Sequence, residues 1–154
     1  MAANAQLTTY SAKDCNVTIQ HPLIGVLQLA GISSNGLDQI TVEMSVDQTI
    51  IENAMDGAIA VSVIPGDQGV ITLSVFQTST VHQTLLAWVN GLKAARDQGN
   101  VAQWAIGTVS IQNIVLGTTH TASGVVPVKI PTIDYQKQAQ KIPWRLVCCN
   151  LVSQ

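Results

Sequence analysis

The chain has 154 residues and a formal net charge of −2, and only 10% of its residues are charged. This charge excludes the basic surface that general nucleic-acid binding requires, and no apolar run reaches the ~18 residues of a membrane span. The length suits a single domain over residues 1–154. Soluble proteins usually carry about 25% charged residues. The low charge therefore indicates either an uncharged polar surface or extensive burial against other subunits, and we favour burial.

The few charged residues are unevenly distributed along the chain. No lysine or arginine lies between Lys13 and Lys93. The same stretch contains seven acids, namely Asp14, Asp38, Glu43, Asp47, Glu52, Asp56 and Asp67. A surface built from this half alone would be purely negative and would repel polyanions.

The first elements are predicted to be strands. Residues 1–14 are polar, and we expect them to form a mobile arm. Residues 16–20 and 24–29 are short strand candidates, and residues 40–47 alternate between apolar and polar side chains, which predicts a half-buried strand. Its polar face consists of Thr41, Glu43, Ser45 and Asp47.

The next segment combines an unclear stretch with two further strand patterns. Residues 49–55 follow neither period, so we expect a loop there, and Asp56-Gly57 is a strong turn signal. Residues 58–64 and 70–77 alternate as strands, and the Pro-Gly-Asp-Gln-Gly sequence between them predicts an antiparallel hairpin of these two strands.

One helix is predicted, over residues 81–96. Its apolar positions recur at helical spacing and form one stripe that we expect to face the core. That stripe consists of Val81, Leu85, Trp88, Val89 and Leu92. Thr80 and Gln83 match a capping box at its start.

The remainder returns to strand patterns over residues 104–116, 125–130 and 142–151. Residues 117–124 (GTTHTASG) are predicted to be a loop. The fold class is therefore mainly β, with two packed antiparallel sheets in a sandwich-like or barrel-like arrangement and one flanking helix near residues 81–96.

No pattern of residues indicates catalysis, a cofactor or a metal site. The three histidines, His21, His82 and His120, lie in different elements, and an isolated histidine is more often packed than basic. The acids lack the spacing of a calcium loop. Three cysteines without metal spacing or a secretion signal are expected to stay reduced in a cytoplasm.

Residues 69–88 and their flanks carry a recognisable succession of elements. A strand ends in Gln77-Thr78-Ser79 and leads directly into the helix. Upstream, Asp56-Gly57 follows the alternating strand, and downstream the chain closes with a strand that contains Trp144-Arg145-Leu146. The helix residues in question are Thr80, Gln83, Leu85, Leu86 and Trp88. This succession resembles the tail tube proteins of contractile-tailed bacteriophages, and it is also similar to the tubes of type VI secretion systems and tailocins.

The resemblance implies a structural virion protein of the tail, assembled in the host cytoplasm and without enzymatic activity or a membrane anchor. Six copies would form a ring, and stacked rings would form the tube that conducts DNA without binding it specifically. Sheath, baseplate and tape-measure proteins are the implied partners. A type VI secretion or tailocin tube is the first alternative, and a small β-sandwich enzyme or glycan-binding module is the second.

Two placements within such a tube follow as hypotheses. We expect Thr41, Glu43, Ser45 and Asp47 to face the lumen, because a wall without Lys or Arg would not hold DNA. The main alternative is that they face outward, against a sheath. The basic residues from Lys93 to Arg145 are expected outside or between subunits. The predicted loop, with Ile51, Glu52, Asn53 and Asp56, is expected to join successive rings.

Overall fold

The computed structural model describes residues 11, 14–30 and 36–154, so nearly all of the expected arm at residues 1–14 lies outside the described residues. Within the described part, ten strands and one long helix follow in chain order. They are β1 (Cys15–His21), β2 (Gly25–Ala30), β3 (Leu37–Met44), β4 (Thr49–Asn53), β5 (Ile59–Val63), β6 (Gly69–Phe76), α1 (Thr80–Asp97), β7 (Gly107–Asn113), β8 (Thr119–Pro127), β9 (Lys141–Cys148) and β10 (Asn150–Ser153), with a 3-10 turn at Val101–Gln103.

Eight strands form one antiparallel path in the order β2-β1-β7-β8-β9-β6-β3, with β10 beside β8. The path folds into two layers. Sheet A contains β2, β1, β7, β8 and β10, and sheet B contains β3, β6, β9 and the end of β8. The predicted fold class is confirmed, and the barrel is not closed.

One strand, β8, belongs to both sheets. The first part of β8 pairs with β7, whereas Val126 and Pro127 at its end pair with β9. A register shift opposite Gly124, which has a φ of 65°, marks a bulge at this corner. Bulges of this kind let one strand belong to two sheets.

The core lies between the two sheets and the helix. Sheet A contributes Val17, Ile19, Val109, Ile111, Ala122 and Val125, and sheet B contributes Ile71, Leu73, Val75, Ile142, Trp144 and Leu146. The helix adds Val81, Leu85, Trp88, Val89 and Leu92, all of which are buried. One continuous core therefore joins all three layers.

The helix begins one residue earlier than expected and with a different cap. Ser79 is the N-cap, and its Oγ accepts a hydrogen bond of 3.2 Å from the backbone N–H of His82. The prediction that Thr80 and Gln83 form a capping box was wrong, because Thr80 already lies inside the helix and the side chain that accepts at the cap is that of Ser79.

 The carbonyl oxygen of Thr80 accepts a hydrogen bond of 2.9 Å from Thr84 Oγ1, one turn further along the helix.

The pairing of the middle strands differs from the prediction. Residues 58–64 do not pair with residues 70–77, so the predicted hairpin was wrong. Instead β5 pairs with β4, and β6 lies between β3 and β9. Residues 49–55, expected to be a loop, contain β4. The physical reason is that β3 and β6 form one long hairpin, which continues into β4 and β5 through the bond from Ile64 N–H to Gln48 O at 2.9 Å.

Two further boundaries change. The loop predicted over residues 117–124 was wrong from Thr119 onwards, because β8 begins there and pairs with β7. The strand predicted over residues 40–47 begins at Leu37 and ends at Met44. Ser45 and Asp47 therefore lie beyond the strand, where the chain bends towards β4.

Candidate assembly surfaces

The strands β4 and β5 form a two-stranded ribbon, and all ten of their residues are exposed. Their register places four large aliphatic residues on one side, which we call the aliphatic face of the ribbon. It consists of Ile51, Ile59, Val61 and Val63, which are 63%, 67%, 59% and 79% exposed. Exposed aliphatic side chains in such a row indicate a surface that another molecule covers.

The expected inter-ring residues lie on this ribbon or at its tip. Ile51, Glu52 and Asn53 belong to β4, and Asp56 lies in the turn, where its Oδ1 accepts a hydrogen bond of 3.0 Å from Ala58 N–H. Glu52 shares the opposite, more polar side of the ribbon with Ile50, Ala60 and Ser62. The four residues therefore do not form one surface.

Two strands end the sheet path. In the described part of the chain, β2 and β3 each pair on one side only. Their other sides present backbone N–H and C=O groups that can pair with a strand from another chain. These two strands follow each other in sequence.

The outer face of sheet B carries two of the four residues expected in a lumen. Thr41 and Glu43 are exposed there. Thr41 lies opposite Thr72, and Thr72 lies opposite Arg145 on β9. Directly opposite residues share a face, so exposed Arg145 lies on the same face as Thr41 and Glu43.

This placement makes two of the sequence-based expectations incompatible. A lumen lined by Thr41 and Glu43 would also contain Arg145, which was expected outside the channel or between subunits. The reason is that β9, from the second half of the chain, lies beside β6 from the first half. The face is not purely acidic. An ion pair of 3.2 Å between Lys141 and Asp38 adds a second basic residue to the strands of this sheet.

The outer face of sheet A is different, because none of its five strands contains Asp, Glu, Lys or Arg. Its exposed side chains include Gln20, Thr108, Ser110, Gln112 and Thr121. The charges that are present on strands are therefore confined to sheet B and the ribbon, a distribution that the sequence alone did not reveal.

The histidines have separate structural environments. Trp144 Nε1 donates a buried hydrogen bond of 3.1 Å to His82 Nδ1. His21 accepts from Leu23 N–H at its Nδ1 and lies 3.0 Å from the carbonyl of Gln103 through its Nε2. Burial lowers the pKa of both His21 and His82 below its usual value, and for His21 the bond to Gln103 partly opposes this effect.

Both His21 and His82 are therefore buried and hydrogen-bonded side chains. His120 contacts Ser153 Oγ at 2.7 Å, so the three histidines have three different partners. Over residues 11, 14–30 and 36–154, no cluster of His, Cys, Asp or Glu could hold a metal ion. Among the same residues, no helix combines the length and apolarity needed to cross a bilayer.

Solved structures with this fold belong to contractile injection systems. A chain in the cryo-EM structure of the extended sheath–tube complex of PVC, an extracellular contractile injection system, is 15% identical, with a TM-score of 0.58 over 100% of this chain and 99% of that chain. A chain of the PVC sheath/tube terminator is 18% identical, with a TM-score of 0.53 over 97% and 99%. A chain of the tube-terminating cap of the anti-feeding prophage is 18% identical, with a TM-score of 0.51 over 100% and 99%.

At these identities the likeness shows the fold, which is that of proteins from contractile injection particles. The sequence shows the family. Residues 7–153 match the profile of the Bacteriophage PhiTE tail tube protein family, and the chain belongs to that family. The resemblance noted from the sequence is thus confirmed. None of the curated protein sequences matches the chain.

Proposed function

We propose that this tail tube protein is a non-enzymatic structural subunit that polymerises as stacked hexameric rings into the inner tail tube. Phage DNA would pass through this tube into the host. Family membership supports the role in a tail. The observation that carries the proposal of polymerisation is the fully exposed ribbon of β4 and β5.

The ribbon lacks a packed face that would stabilise it in water. A two-stranded ribbon without a packed face is marginally stable at best. Full burial of one large aliphatic side chain stabilises by roughly 1.5–3 kcal/mol, so covering the four residues of the aliphatic face would contribute several kcal/mol to each contact. A copy of the same chain in an adjacent ring is the partner that a homopolymer supplies at every position.

The open strands β2 and β3 suit the closure of a ring. No second strand pairs with either of them in the described part of the chain, and strands of neighbouring copies could add at these edges, because a closed barrel has no edges. Each copy would use one surface on one neighbour and a different surface on the other. Such head-to-tail contacts close into rings when the rotation permits.

We place the outer face of sheet B towards the channel, so that Thr41 and Glu43 face the lumen. Ser45 and Asp47 would lie where this face meets the ribbon. In this orientation Arg145 also faces the lumen. The wall is then balanced in charge and not purely acidic, because Glu43 accompanies Arg145 and Asp38 is paired with Lys141.

The remaining partners follow from the architecture of such particles. Sheath, baseplate and tape-measure proteins would contact the tube, and the solved structures of similar fold come from sheath–tube, terminator and cap assemblies. The subunit would be made in the host cytoplasm and end in the virion tail, without a cofactor or a membrane anchor.

A second candidate is a tube that delivers protein cargo, as in a secretion system, a tailocin or an extracellular injection particle. The origin of the similar solved structures favours it, whereas the phage family favours DNA. Capsid and terminase genes beside the gene would support the phage tube. Effector genes in their place would support the injection system.

Polymerisation can be tested with a variant in which the ribbon is replaced. Gln48 and Ile64 form the last paired position below it, so residues 49–63 can be replaced by Asn-Gly, which forms a two-residue hairpin turn. We expect the variant to fold as a monomer and to form no tubes in electron micrographs at concentrations where the wild type does. Tubes of normal length from this variant would refute the proposed role of the ribbon.

A pair of point variants separates the two sides of the ribbon. Val61→Thr with Val63→Thr keeps the β-branched shape but makes the aliphatic face polar, and we expect it to weaken assembly. The matched control, Ala60→Thr with Ser62→Thr, changes the other side and should assemble like the wild type. Equal effects of the two double variants would contradict docking through the aliphatic face.

A further inference from the structure

The turn between β7 and β8 exposes three consecutive aliphatic side chains. Ile114, Val115 and Leu116 are 60%, 53% and 57% exposed. Turns of soluble proteins usually carry Gly, Asn, Asp, Ser or Pro, so a run of three large aliphatic residues at such a tip is unusual. We call residues 114–116 the aliphatic tip.

The aliphatic tip is held in one conformation by its neighbours. Asn113 Oδ1 accepts hydrogen bonds from Val115 N–H at 3.1 Å and from Leu116 N–H at 3.0 Å. Gly117, with a φ of 74°, donates to the carbonyl of Asn113 at 2.9 Å, and Ile114 N–H donates to Asp14 O at 3.0 Å. A fixed tip loses little conformational entropy when it binds.

A pocket of about 320 Å³ lies at the opposite end of β7. Its lining comprises Gln20, His21, Pro22, Gly25, Ile106 and Thr108. At about 30 Å³ per water molecule in the liquid, the pocket has room for on the order of ten waters, which is enough for two aliphatic side chains. We call it the end pocket.

The end pocket is preformed. Its wall includes the buried ring of His21. Both nitrogens of this ring form hydrogen bonds, Nδ1 with Leu23 N–H and Nε2 with Gln103 O, and these bonds fix the position of the ring. The centroid of the same ring lies 5.6 Å from that of Trp88. Ile106 is 47% exposed at the pocket and offers apolar surface that no described residue covers fully.

The tip and the end pocket suit each other in charge. Neither residues 114–118 nor the pocket lining contains Asp, Glu, Lys or Arg. Two further pockets among the described residues suit the tip less. One contains Arg145, and the other is lined almost entirely by amide and hydroxyl side chains on the outer face of sheet A.

Their positions suit a contact between copies. The tip follows Asn113 at one end of β7, and Thr108 of the end pocket lies at the other end, five residues away along the strand. At about 3.4 Å per residue, tip and pocket of one copy are more than roughly 15 Å apart and cannot meet. A head-to-tail stack brings opposite ends of identical copies together at every step.

We propose that the aliphatic tip of one copy inserts into the end pocket of a second copy in the adjacent ring. This inference rests on the proposed polymerisation and adds to it a second inter-ring contact, on sheet A. The base of the ribbon lies beside the C-terminal end of β9 and the tip lies beside the C-terminal end of β10, because Gly69 pairs with Cys148 and Ser153 pairs with His120, and β9 and β10 both run antiparallel to β8. One end of the subunit would therefore supply both projections.

Charge reversal tests the pairing. Leu116→Glu places an acid on the tip, and Thr108→Lys places a base in the pocket. We expect each single variant to raise the critical concentration for tube formation at least tenfold. The double variant carries both charges, so every joint in the stack regains a complementary pair, and we expect most of the loss to be recovered.

Matched controls and a second measurement make the outcome decisive. Leu116→Glu with Thr121→Lys adds a base at an exposed threonine outside the pocket and should not recover assembly. In a Cys15→Ser and Cys149→Ser background, Leu116→Cys with Thr108→Cys should give a ladder of linked subunits when tubes are treated with a short bismaleimide. Either single cysteine should give no ladder.

The outcomes separate this inference from the proposed function. If the wild type forms tubes, any of three results would overturn the tip–pocket contact alone. These are single variants that assemble normally, a double variant that assembles no better than the single variants, and tubes of the double-cysteine variant that give no ladder. A wild-type protein that forms no tubes even with a tail initiation complex would overturn the proposed function, and the contact with it.

Discussion

The two fully buried tryptophans provide a controlled test of the hydrogen bond that joins α1 to β9. Trp144 Nε1 donates to His82 Nδ1 at 3.1 Å. Trp88 Nε1 is also buried, but it finds no acceptor among the residues that the structure describes. Both side chains have no exposed surface. Replacing each with phenylalanine therefore removes a similar apolar volume but has opposite consequences for polar groups.

Trp144→Phe leaves the Nδ1 atom of His82 without its donor inside the core. An unsatisfied buried polar group costs about 1–3 kcal/mol. Trp88→Phe leaves no such group and removes a donor that was already unpaired. The loss of apolar contacts is common to both variants and cancels in the comparison. We therefore expect Trp144→Phe to lower the free energy of unfolding by about 1–3 kcal/mol more than Trp88→Phe does.

The assay is urea unfolding of the unassembled subunit at pH 7.5, followed by circular dichroism. For a chain of this size, 1 kcal/mol corresponds to a shift in Tm of about 2–4 °C, so thermal melts give a second reading. The double variant His82→Leu with Trp144→Phe removes both partners and should recover part of the loss. A Trp88→Phe variant that is as unstable as Trp144→Phe would refute the reasoning.

Three further predictions concern pH, the helix cap and two glycines. Burial lowers the pKa of both buried histidines. The unfolded chain therefore takes up protons near pH 6.5, whereas the folded protein does so only at lower pH. The free energy of unfolding measured in urea should have its full value above about pH 6.5 and should fall as the pH drops through the pKa values of the folded protein. Ser79→Ala should cost about 1 kcal/mol in thermal melts, because it removes the N-cap, and Thr80→Ala should cost less. Gly124→Ala should destabilise more than Gly117→Ala, because its Cβ would lie 2.9 Å from Cys149 whereas Gly117 faces open space.

The sequence predicted the elements whose period is carried by large side chains. The helix stripe is the clearest example, because five aliphatic or aromatic residues recur at a spacing that only a helix brings to one side. The strand β6 is similar, since Ile71, Leu73 and Val75 alternate with smaller polar residues and all three are buried. In both elements the large side chains that form the sequence pattern are also the ones that are buried in the core.

The first part of β8, which was predicted to be a loop, was missed because small residues conceal its period. Its buried position Ala122 lies between Thr121 and Ser123, and Gly124 follows at the bulge. Alanine and glycine give little hydrophobic signal, and glycine is also the commonest turn residue. The segment forms a strand because β7 and β10 pair with it from both sides, which is a tertiary effect that no local pattern contains.

The ribbon was misread for a different reason. Both sides of β5 are exposed, so the pairing of β5 cannot be set by a buried face. Its partner is decided by the long hairpin that begins with β3 and β6, which β4 and β5 continue after a shift of one residue in the register. The sequence also contains a short turn signal at residues 65–69, and only the strand partners of β6 exclude a hairpin at that position.

The candidate lumen shows how a correct observation about composition can lead to an incomplete description of a surface. The absence of Lys and Arg between Lys13 and Lys93 is a property of the chain, whereas a channel wall is a property of a sheet. Because β9 inserts Arg145 opposite Thr72, the face that contains Thr41 and Glu43 combines both signs. In the proposed orientation these opposite charges repeat in every subunit and largely cancel beyond the Debye length of ~8 Å at physiological salt. DNA near the axis of such a channel would therefore meet a wall with little net charge, and its free passage would depend on this balance and not on repulsion by acids.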